Sequence, residues 1–328
     1  IEVGDRPLIL APMEDVTNPP FRKFCKKYGA DWLYSEFVSA DALVRSVNKS
    51  LKKLTIDETE RPVTIQIYGR FIDSMVEAAK IVEEVRPDFI DINFGCPVKR
   101  VAQKGAGAGM LKDIPLMVEM TRQIVQAVKI PVTAKTRLGW DCEHIIIEDI
   151  AERLQDVGIQ ALAIHGRTRS QMYSGEADWE PIARVKQNPR IKIPIIGNGD
   201  IDSPQKVKDA FERYGVDGVM IGRATIGKPW IFEQIKHYLT TGEMLPELSV
   251  PAQIEIIKEQ ILLSMEWLDE VRGLFHMRRH MACMFKGLPH FRDLRIQMLQ
   301  APNIEELWGV FDQIAERYGS MNPNDRME

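Results

Sequence analysis

The chain has 328 residues, 45% of them hydrophobic and 27% charged, with a formal net charge of −4 at pH 7. No stretch reaches the roughly 18 consecutive apolar residues of a membrane span and no signal-peptide pattern opens the sequence, so we expect a cytoplasmic protein of about two domains. The cysteines form no C-x-x-C pair, which argues against a disulfide framework or a zinc ribbon; they are Cys25, Cys96, Cys142 and Cys283.

Short apolar runs bounded by turn residues, about 30 residues apart, predict eight β-strands. Stretches with helical spacing separate them. Eight alternating strand–helix units within about 240 residues predict an α/β fold of the closed (β/α)8 TIM-barrel class, with a doubly wound open sheet as the alternative. The runs are Leu8–Met13, Trp32–Phe37, Val63–Tyr68, Phe89–Phe94, Pro131–Arg137, Ala161–His165, Ile193–Asn198 and Asp217–Gly222.

Most of these runs stop at a polar residue or a glycine. Active sites of such barrels lie at the carboxyl ends of the strands, so we expect the end residues to line one shared pocket. They are Met13, Glu36, Gln66, Asn93, Cys96, Lys135, Arg137, His165, Arg167, Asn198, Gly222 and Arg223.

The ends of the last two runs have the composition of an anion site. Gly197–Asp200 and Ile221–Ala224 follow strands seven and eight, where barrels commonly bind phosphate through backbone N–H groups. Arg223 would add a bidentate contact. Glycines that only form tight turns are the alternative.

Three side chains of the predicted pocket carry reactive chemistry. The thiol of Cys96, with an ordinary pKa of about 8.5, is mostly protonated at neutral pH and suits a proton donor better than a nucleophile. Lys135 either forms a Schiff base or stays charged and stabilises a bound anion. His165 binds a phosphate, a flavin edge or substrate, unless it is a core residue.

Three other strings carry no predicted site. Gly105–Gly109 follows a loop instead of a strand, so we predict a mobile rim loop and no dinucleotide fingerprint. Trp140–His144 contains metal-ligand residue types without a recognised spacing, and His276 and His280 stand at i, i+4 but lack the glutamate of a zinc-protease helix, so we predict no metal at either.

After Tyr238 the strand–helix alternation ends, and residues 241–246 resemble a linker. Apolar residues at helical spacing then predict a small all-helical domain whose last helix is capped by Asn303 and Glu306. The segment between Val271 and Arg295 contains six basic residues and a single acidic one, which suggests a polyanion site. A solvated helix face is the alternative. The basic residues are Arg272, Arg278, Arg279, Lys286, Arg292 and Arg295.

With these residues assembled, the chain resembles the tRNA-dihydrouridine synthases, and is most similar to their B-type bacterial branch. The resemblance runs essentially end to end, through Lys228–Phe232 and the basic helix. The strings that carry it are Ala11–Met13, Ile65–Ile67, Asp91–Pro97, Lys135–Arg137, His165–Arg169, Asn198–Asp200 and Gly222–Arg223.

The resemblance implies an FMN enzyme that reduces the C5=C6 bond of particular tRNA uridines to 5,6-dihydrouridine, with NADPH reducing the flavin. Hydride would pass to C6, and Cys96 would protonate C5. Residues 1–240 would form the catalytic domain and residues 241–328 the tRNA-binding domain. The residues assigned to FMN are Pro12, Met13, Gln66, Lys135, His165, Asn198, Gly199, Asp200, Gly222, Arg223 and also Glu14, which stands where many relatives have a small residue.

The reactive uridine would have to leave the RNA stack to reach a buried centre. Asn93 is then the candidate for reading the uracil edge, and Arg137, Arg167 and Arg169 are candidates for binding adjacent phosphates, while the basic helical residues hold the rest of the tRNA. No obligate protein partner is evident. The competing interpretations are a flavin barrel acting on a free pyrimidine, like dihydroorotate dehydrogenase, a Schiff-base aldolase, and a non-enzymatic RNA-binding protein.

Overall fold

The computed structural model describes residues 3–321, and the chain divides into two compact units, of which the first ends at Gly222 and the second begins at Arg223. The first unit contains a closed barrel of eight parallel strands in sequence order, which confirms the predicted fold class. The strands are β1 Leu8–Leu10, β2 Trp32–Ser39, β3 Val63–Tyr68, β4 Phe89–Asn93, β5 Val132–Arg137, β6 Leu162–His165, β7 Ile195–Asn198 and β8 Gly218–Ile221.

The strand ends depart from the predicted runs at a few positions. β1 stops at Leu10, three residues before the predicted end, because Pro12 has no backbone N–H to continue the ladder. β2 extends two residues beyond its predicted end to Ser39, past an irregularity in its register with β3 between Tyr34 and Phe37.

Helices cover the barrel and connect successive strands. The helix that follows β3 buries one stripe, formed by Met75, Ala78, Ala79 and Val82, as their spacing of three and four residues predicts. No helix among residues 3–321 has both the length and the apolarity to cross a bilayer. The helices of the first unit are α1 Pro19–Lys27, α2 Ala40–Val44, α3 Asn48–Lys52, α4 Ile72–Glu84, α5 Lys99–Ala102, α6 Ile114–Ala127, α7 Ile147–Asp156, α8 Glu180–Gln187 and α9 Pro204–Glu212.

The second unit is helical in its described part, as predicted. The predicted cap of its last helix is present: the backbone N–H of Glu306 donates to Asn303 Oδ1 at 2.8 Å. The helix Ile231–Thr241, which spans the predicted domain boundary at residue 240, belongs to this unit, whereas the functional boundary itself stays a prediction. The helices are α10 Ile231–Thr241, α11 Val250–Leu268, α12 Glu270–Met281, α13 Arg292–Gln300 and α14 Ile304–Tyr318.

Candidate active site

The register of the barrel brings the predicted polar residues to one rim. Asn93 at the end of β4 is paired with Lys135 on β5. Farther round, His165 on β6 is paired with Arg137 on one side and with Asn198 on the other. Strand ends that are far apart in sequence therefore meet at the same height, as the sequence predicts.

A chain of hydrogen bonds runs from the barrel interior to the Cys96 turn. Asp91 Oδ2 accepts from Gln66 Nε2 at 2.7 Å, and Gln66 Oε1 accepts from Asn93 Nδ2 at 2.7 Å. Asn93 Oδ1 then accepts from the backbone N–H groups of Gly95 and Cys96, at 3.0 and 2.8 Å. The position of the turn that carries Cys96 is thus fixed by side chains of the strands.

Asp91 anchors this chain. It is fully buried, and its other carboxylate oxygen accepts from Thr133 Oγ1 at 2.6 Å. Burial raises the pKa of Asp91 to about 6, against the opposing effect of these hydrogen bonds. At neutral pH the group is therefore ionised and can only accept.

Replacing Asn93 by alanine tests the contribution of this chain to stability. Two buried N–H groups would lose their acceptor, so we expect a loss of about 1–3 kcal/mol in the free energy of unfolding, measured by urea titration. Asn93→Asp keeps the acceptor but loses the donor to Gln66 Oε1 and buries a second carboxylate, so it should be destabilised as well. Equal stability of the alanine variant and the unchanged protein would contradict this role.

Cys96 is held in a confined, weakly solvated place. Its side chain is 6% exposed, and burial raises the pKa of its thiol above the ordinary value. Gly107 lies against it: the residue has φ of +54°, which favours glycine, and a Cβ there would lie 3.1 Å from Cys96 Cβ, closer than an ordinary van der Waals contact. The thiol is consequently protonated at neutral pH, as a proton donor requires.

The segment that supplies Gly107 differs from its prediction. The predicted mobile rim loop at Gly105–Gly109 is wrong for its second half, where Gly107–Lys112 forms a 3-10 helix with Gly107, Ala108 and Gly109 buried. The backbone N–H of Ala108 donates to the carbonyl of Cys96 at 3.1 Å. Glycines here serve close packing against the cysteine turn.

Lys135 presents a desolvated cation at the barrel mouth. Its surface is partly covered, and burial followed by the charge of Arg137 lowers its pKa from 10.5 to about 8. Within residues 3–321 the ammonium makes no hydrogen bond or ion pair. A cation in this state favours an anionic ligand.

Lys135→Met should stabilise the folded protein in the absence of a ligand. Because the folded-state pKa lies below the unfolded value, the charged lysine disfavours folding fully below pH 8, and this penalty disappears as the pH rises toward about 10.4. We expect a gain of about 1–3 kcal/mol at pH 7 in urea unfolding. Lys135→Arg keeps the charge and should show no such gain. A destabilised methionine variant at pH 7 would contradict the argument.

Arg137 and Arg167, predicted to bind RNA phosphates, are almost fully buried and are engaged with the protein. Arg137 donates to the carbonyls of Gly95, Thr168 and Met172 at 2.7–3.0 Å. Arg167 forms a bidentate pair with Asp200, with bonds of 2.8 and 2.7 Å. These bonds connect the loops that follow β4, β6 and β7, so the structure gives both arginines a structural role, and their phosphate contacts stay predictions.

The remaining predicted ligands of the first unit lie at the ends of β6 to β8. Asn198 is buried and donates to the carbonyl of Met220 at 2.7 Å. His165 is also buried, and Arg167 Nη1 lies 3.5 Å from its Nε2. Gly199, which has φ of +128°, directly follows β7, and Gly222 directly follows β8. Arg223 belongs to the second unit, where it is exposed in the 3-10 turn Arg223–Thr225.

At the end of β1, Pro12 and Met13 are followed by an ion-pair cluster that the sequence analysis missed. Glu14 pairs with Lys53 Nζ at 2.7 Å, and Glu36 lies 3.3 Å from the same ammonium. Burial raises the pKa of Glu14 despite this cation. The side chain of Glu14 therefore faces Lys53, and a contact of Glu14 with FMN stays a prediction.

The six basic residues of the second unit differ in their exposure and in the contacts that they already make. Arg278 is half-buried, with its guanidinium 4.2 Å from the Phe275 ring centroid. Arg272 pairs with Asp269, and Arg295 donates to the carbonyl of Ala282 at 3.0 Å. The exposed residues are Arg272, Arg279, Lys286, Arg292 and Arg295.

Two functional positions beneath the rim were not predicted from the sequence. Asp91 and Thr133 lie one layer below the strand ends, where they hold Gln66. A signal was present, because an acidic residue interrupts the apolar run Phe89–Ile92, and buried carboxylates are rare unless they have partners.

A thiol, a lysine and several amides at the carboxyl ends of one closed parallel barrel define this chain as an enzyme of the (β/α)8 class. The family model described as dihydrouridine synthase (Dus) matches residues 9–315. The tRNA-dihydrouridine synthase B of Pseudomonas aeruginosa is 42% identical over 290 residues, covering 88% of this chain and 87% of that protein. A probable tRNA-dihydrouridine synthase of Rickettsia bellii is 38% identical over 317 residues, covering 96% and 95%.

Among solved structures, a complex of 2-naphthoyl-CoA reductase with 2-naphthoyl-CoA shares the fold, with a TM-score of 0.58 at 13% identity over 72% of this chain and 51% of that chain. The chain belongs to the dihydrouridine synthase family. The sequence-based assignment to that family, and to its B-type branch, is confirmed.

Proposed function

We propose that this protein reduces the C5=C6 bond of specific uridines in tRNA to 5,6-dihydrouridine, using FMN that is reduced by NADPH. The observation that carries the proposal is the placement, on neighbouring strand ends, of a buried, protonated thiol and a partly covered lysine whose ammonium makes no hydrogen bond or ion pair within residues 3–321. Family membership and the names of the relatives support the substrate.

The residues at the rim fit an anionic flavin. The Lys135 ammonium would lie at the N1/O2 edge of the ring, where it neutralises negative charge. The other residues that would hold FMN are Pro12, Met13, Glu14, Gln66, His165, Asn198, Gly199, Asp200, Gly222 and Arg223.

Bound FMN would supply the hydride for C6 of the base. Cys96 holds the proton that goes to C5, since its confined thiol stays protonated at neutral pH. Its turn is held by Asn93 through two backbone N–H groups, so the donor keeps its position when the base arrives. Asn93 Oδ1 already accepts those two bonds. Asn93 would therefore contact the uracil edge through the hydrogen-bonding capacity of its amide that those bonds leave unused.

The tRNA would also contact Arg169 in the first unit and the basic residues of the second. The exposed cations of the second unit would bind phosphates and would not select a particular base. The affinity for tRNA should therefore fall as the salt concentration rises. Because tRNA is made and used in the cytoplasm, we expect the protein to be located there.

The test is nucleoside mass spectrometry of tRNA from a strain that lacks the protein, with and without its restoration. Loss and recovery of dihydrouridine at one mapped position is expected, together with a yellow purified protein that contains FMN. A colourless protein, or a dihydrouridine content that does not change, would refute the proposal.

A free pyrimidine is the second candidate substrate, since the chemistry at the rim would be the same. The basic surface of the second unit has no evident use with such a substrate. Salt-sensitive binding of tRNA to the purified protein, with turnover on tRNA and none on free uracil, would exclude it.

A further inference from the structure

A groove of about 620 Å³ opens on the first unit beside the cysteine turn. Ala102, Gly109 and Met110 contribute to its lining, and the 3-10 helix Gly107–Lys112 that supplies two of them is bonded to the carbonyl of Cys96 through Ala108. The groove is therefore coupled to the backbone of the proposed proton donor.

Three cations from separate loops line this groove: Arg70 after β3, Lys112 before α6 and Arg169 after β6. Arg70 and Lys112 are exposed, and Arg169 is half-buried. None of the three has a carboxylate partner in the part of the chain that the structure describes. Asp113 also lines the groove, but its carboxylate caps α6 by accepting from Leu116 N–H at 3.1 Å.

The two cations on one side of the groove are held by an aromatic ring. Lys112 Nζ lies 4.0 Å and Arg169 Cζ 4.7 Å from the Trp140 ring centroid. The backbone at Trp140 is fixed in turn, because its carbonyl accepts from both the N–H and the hydroxyl of Ser170 at 2.9 Å. Stacking on the indole orients both cations before any ligand binds.

Arg70, the third cation, lies against Gly105. This residue has φ of +76°, and a Cβ there would approach Arg70 Nε to 3.3 Å, so the glycine makes room for the guanidinium. Arg169 retains a further donor, since its buried Nε has no hydrogen-bond partner within residues 3–321. The groove thus contains concentrated positive charge with unused donors.

We propose that this groove binds the phosphodiester backbone of the tRNA next to the nucleotide that is reduced; the inference rests on the proposed function. Cations on three loops along one groove suit a chain of successive phosphates better than a single phosphate group. A positively charged groove that follows the backbone is also a usual feature of surfaces that bind unpaired RNA.

The test measures the Kd of unmodified tRNA for the FMN-loaded protein between about 50 and 250 mM KCl. Arg70→Ala and Lys112→Ala should each weaken binding about 3- to 10-fold and reduce the slope of log K against log salt by about 0.7–0.9, the value for one lost phosphate contact. Lys208→Ala on α9, an exposed lysine of the outer helix layer, is the matched control and should change neither quantity.

Flavin content and NADPH oxidation in the absence of tRNA separate this proposal from the proposed function. Both should match the unchanged protein in the groove variants. If the unchanged protein binds and reduces tRNA while Lys112→Ala and Lys208→Ala behave alike, the groove proposal is overturned and the proposed function stands. A raised KM for NADPH with unaltered tRNA affinity would also overturn it, by assigning the groove to a dinucleotide.

Discussion

Cys96→Ala protein is expected to bind FMN normally and to lose about 10²- to 10⁴-fold in turnover on tRNA, the usual contribution of a positioned general acid. Burial raises the pKa of the thiol, so the unchanged protein should keep its activity into mildly alkaline solution. Single-turnover reduction of tRNA by the pre-reduced protein measures the step directly.

The matched control for that variant is Cys142→Ala, which removes an exposed thiol of the same unit. It should retain full turnover. If Cys96→Ala also retains it, the proton comes from another group and the proposed mechanism is wrong. Loss of FMN from the Cys96 variant would instead indicate that the cysteine supports the site structurally.

Arg22→Ala is expected to lower the free energy of unfolding by about 3–5 kcal/mol, because it leaves a buried carboxylate without its partner. Arg22 Nε lies 2.7 Å from Glu60 Oε2, with the two side chains 1% and 0% exposed. The guanidinium also donates to the carbonyls of Thr17 and Thr55. The pair therefore joins α1 to the segment before β3.

The effect of pH on this variant has a definite sign. Burial raises the pKa of Glu60 even with Arg22 present, and without that cation the folded state favours the protonated acid more strongly. The variant should thus recover part of its stability as the pH falls, and lose most above neutrality. Urea unfolding at pH 5 and pH 8 measures this.

A neighbouring residue on the same helix provides the control. Lys23 pairs with Asp57 at 2.8 Å, with side chains 43% and 41% exposed, so Lys23→Ala should cost less than about 1 kcal/mol. Equal losses for the two variants would show that burial does not determine the strength of these ion pairs.

The barrel was predictable from the sequence because parallel strands that are covered on both faces consist of nearly continuous apolar residues. Periodicity places such strands but does not locate their ends. β1 ends early at a proline, which removes a donor, and β2 continues past an irregularity that the sequence does not reveal.

The composition of the candidate site was predictable, whereas the direction of its side chains was not. Asn93, Lys135 and His165 reach one rim because strand ends meet there. Arg137 and Arg167 are of a residue type that commonly binds phosphate, yet they donate to backbone carbonyls and to Asp200. The partner of a guanidinium depends on the conformation of the surrounding loops. The spacing of residues in the sequence does not reveal that conformation.

The segment around Gly107 shows the same limit. A glycine-rich string is compatible with a flexible loop and with close packing, because absence of a side chain permits both. Here the close approach of Cys96 and Val101 favours glycine, since a Cβ at position 107 would lie 3.1 Å from atoms of both. The contact with Cys96 joins residues eleven positions apart in a turn whose shape only the folded chain defines.

The chain of amides below the rim has a chemical direction that originates in a single charge. Ionised Asp91 offers no proton, so Gln66 must turn its nitrogen downward and its oxygen toward Asn93, and the oxygen of that second amide then points at the turn. A protonated carboxyl would tolerate either orientation. Acidification through about pH 6 would remove the charge that orients Gln66, whereas Asn93 would stay oriented by the N–H groups of Gly95 and Cys96.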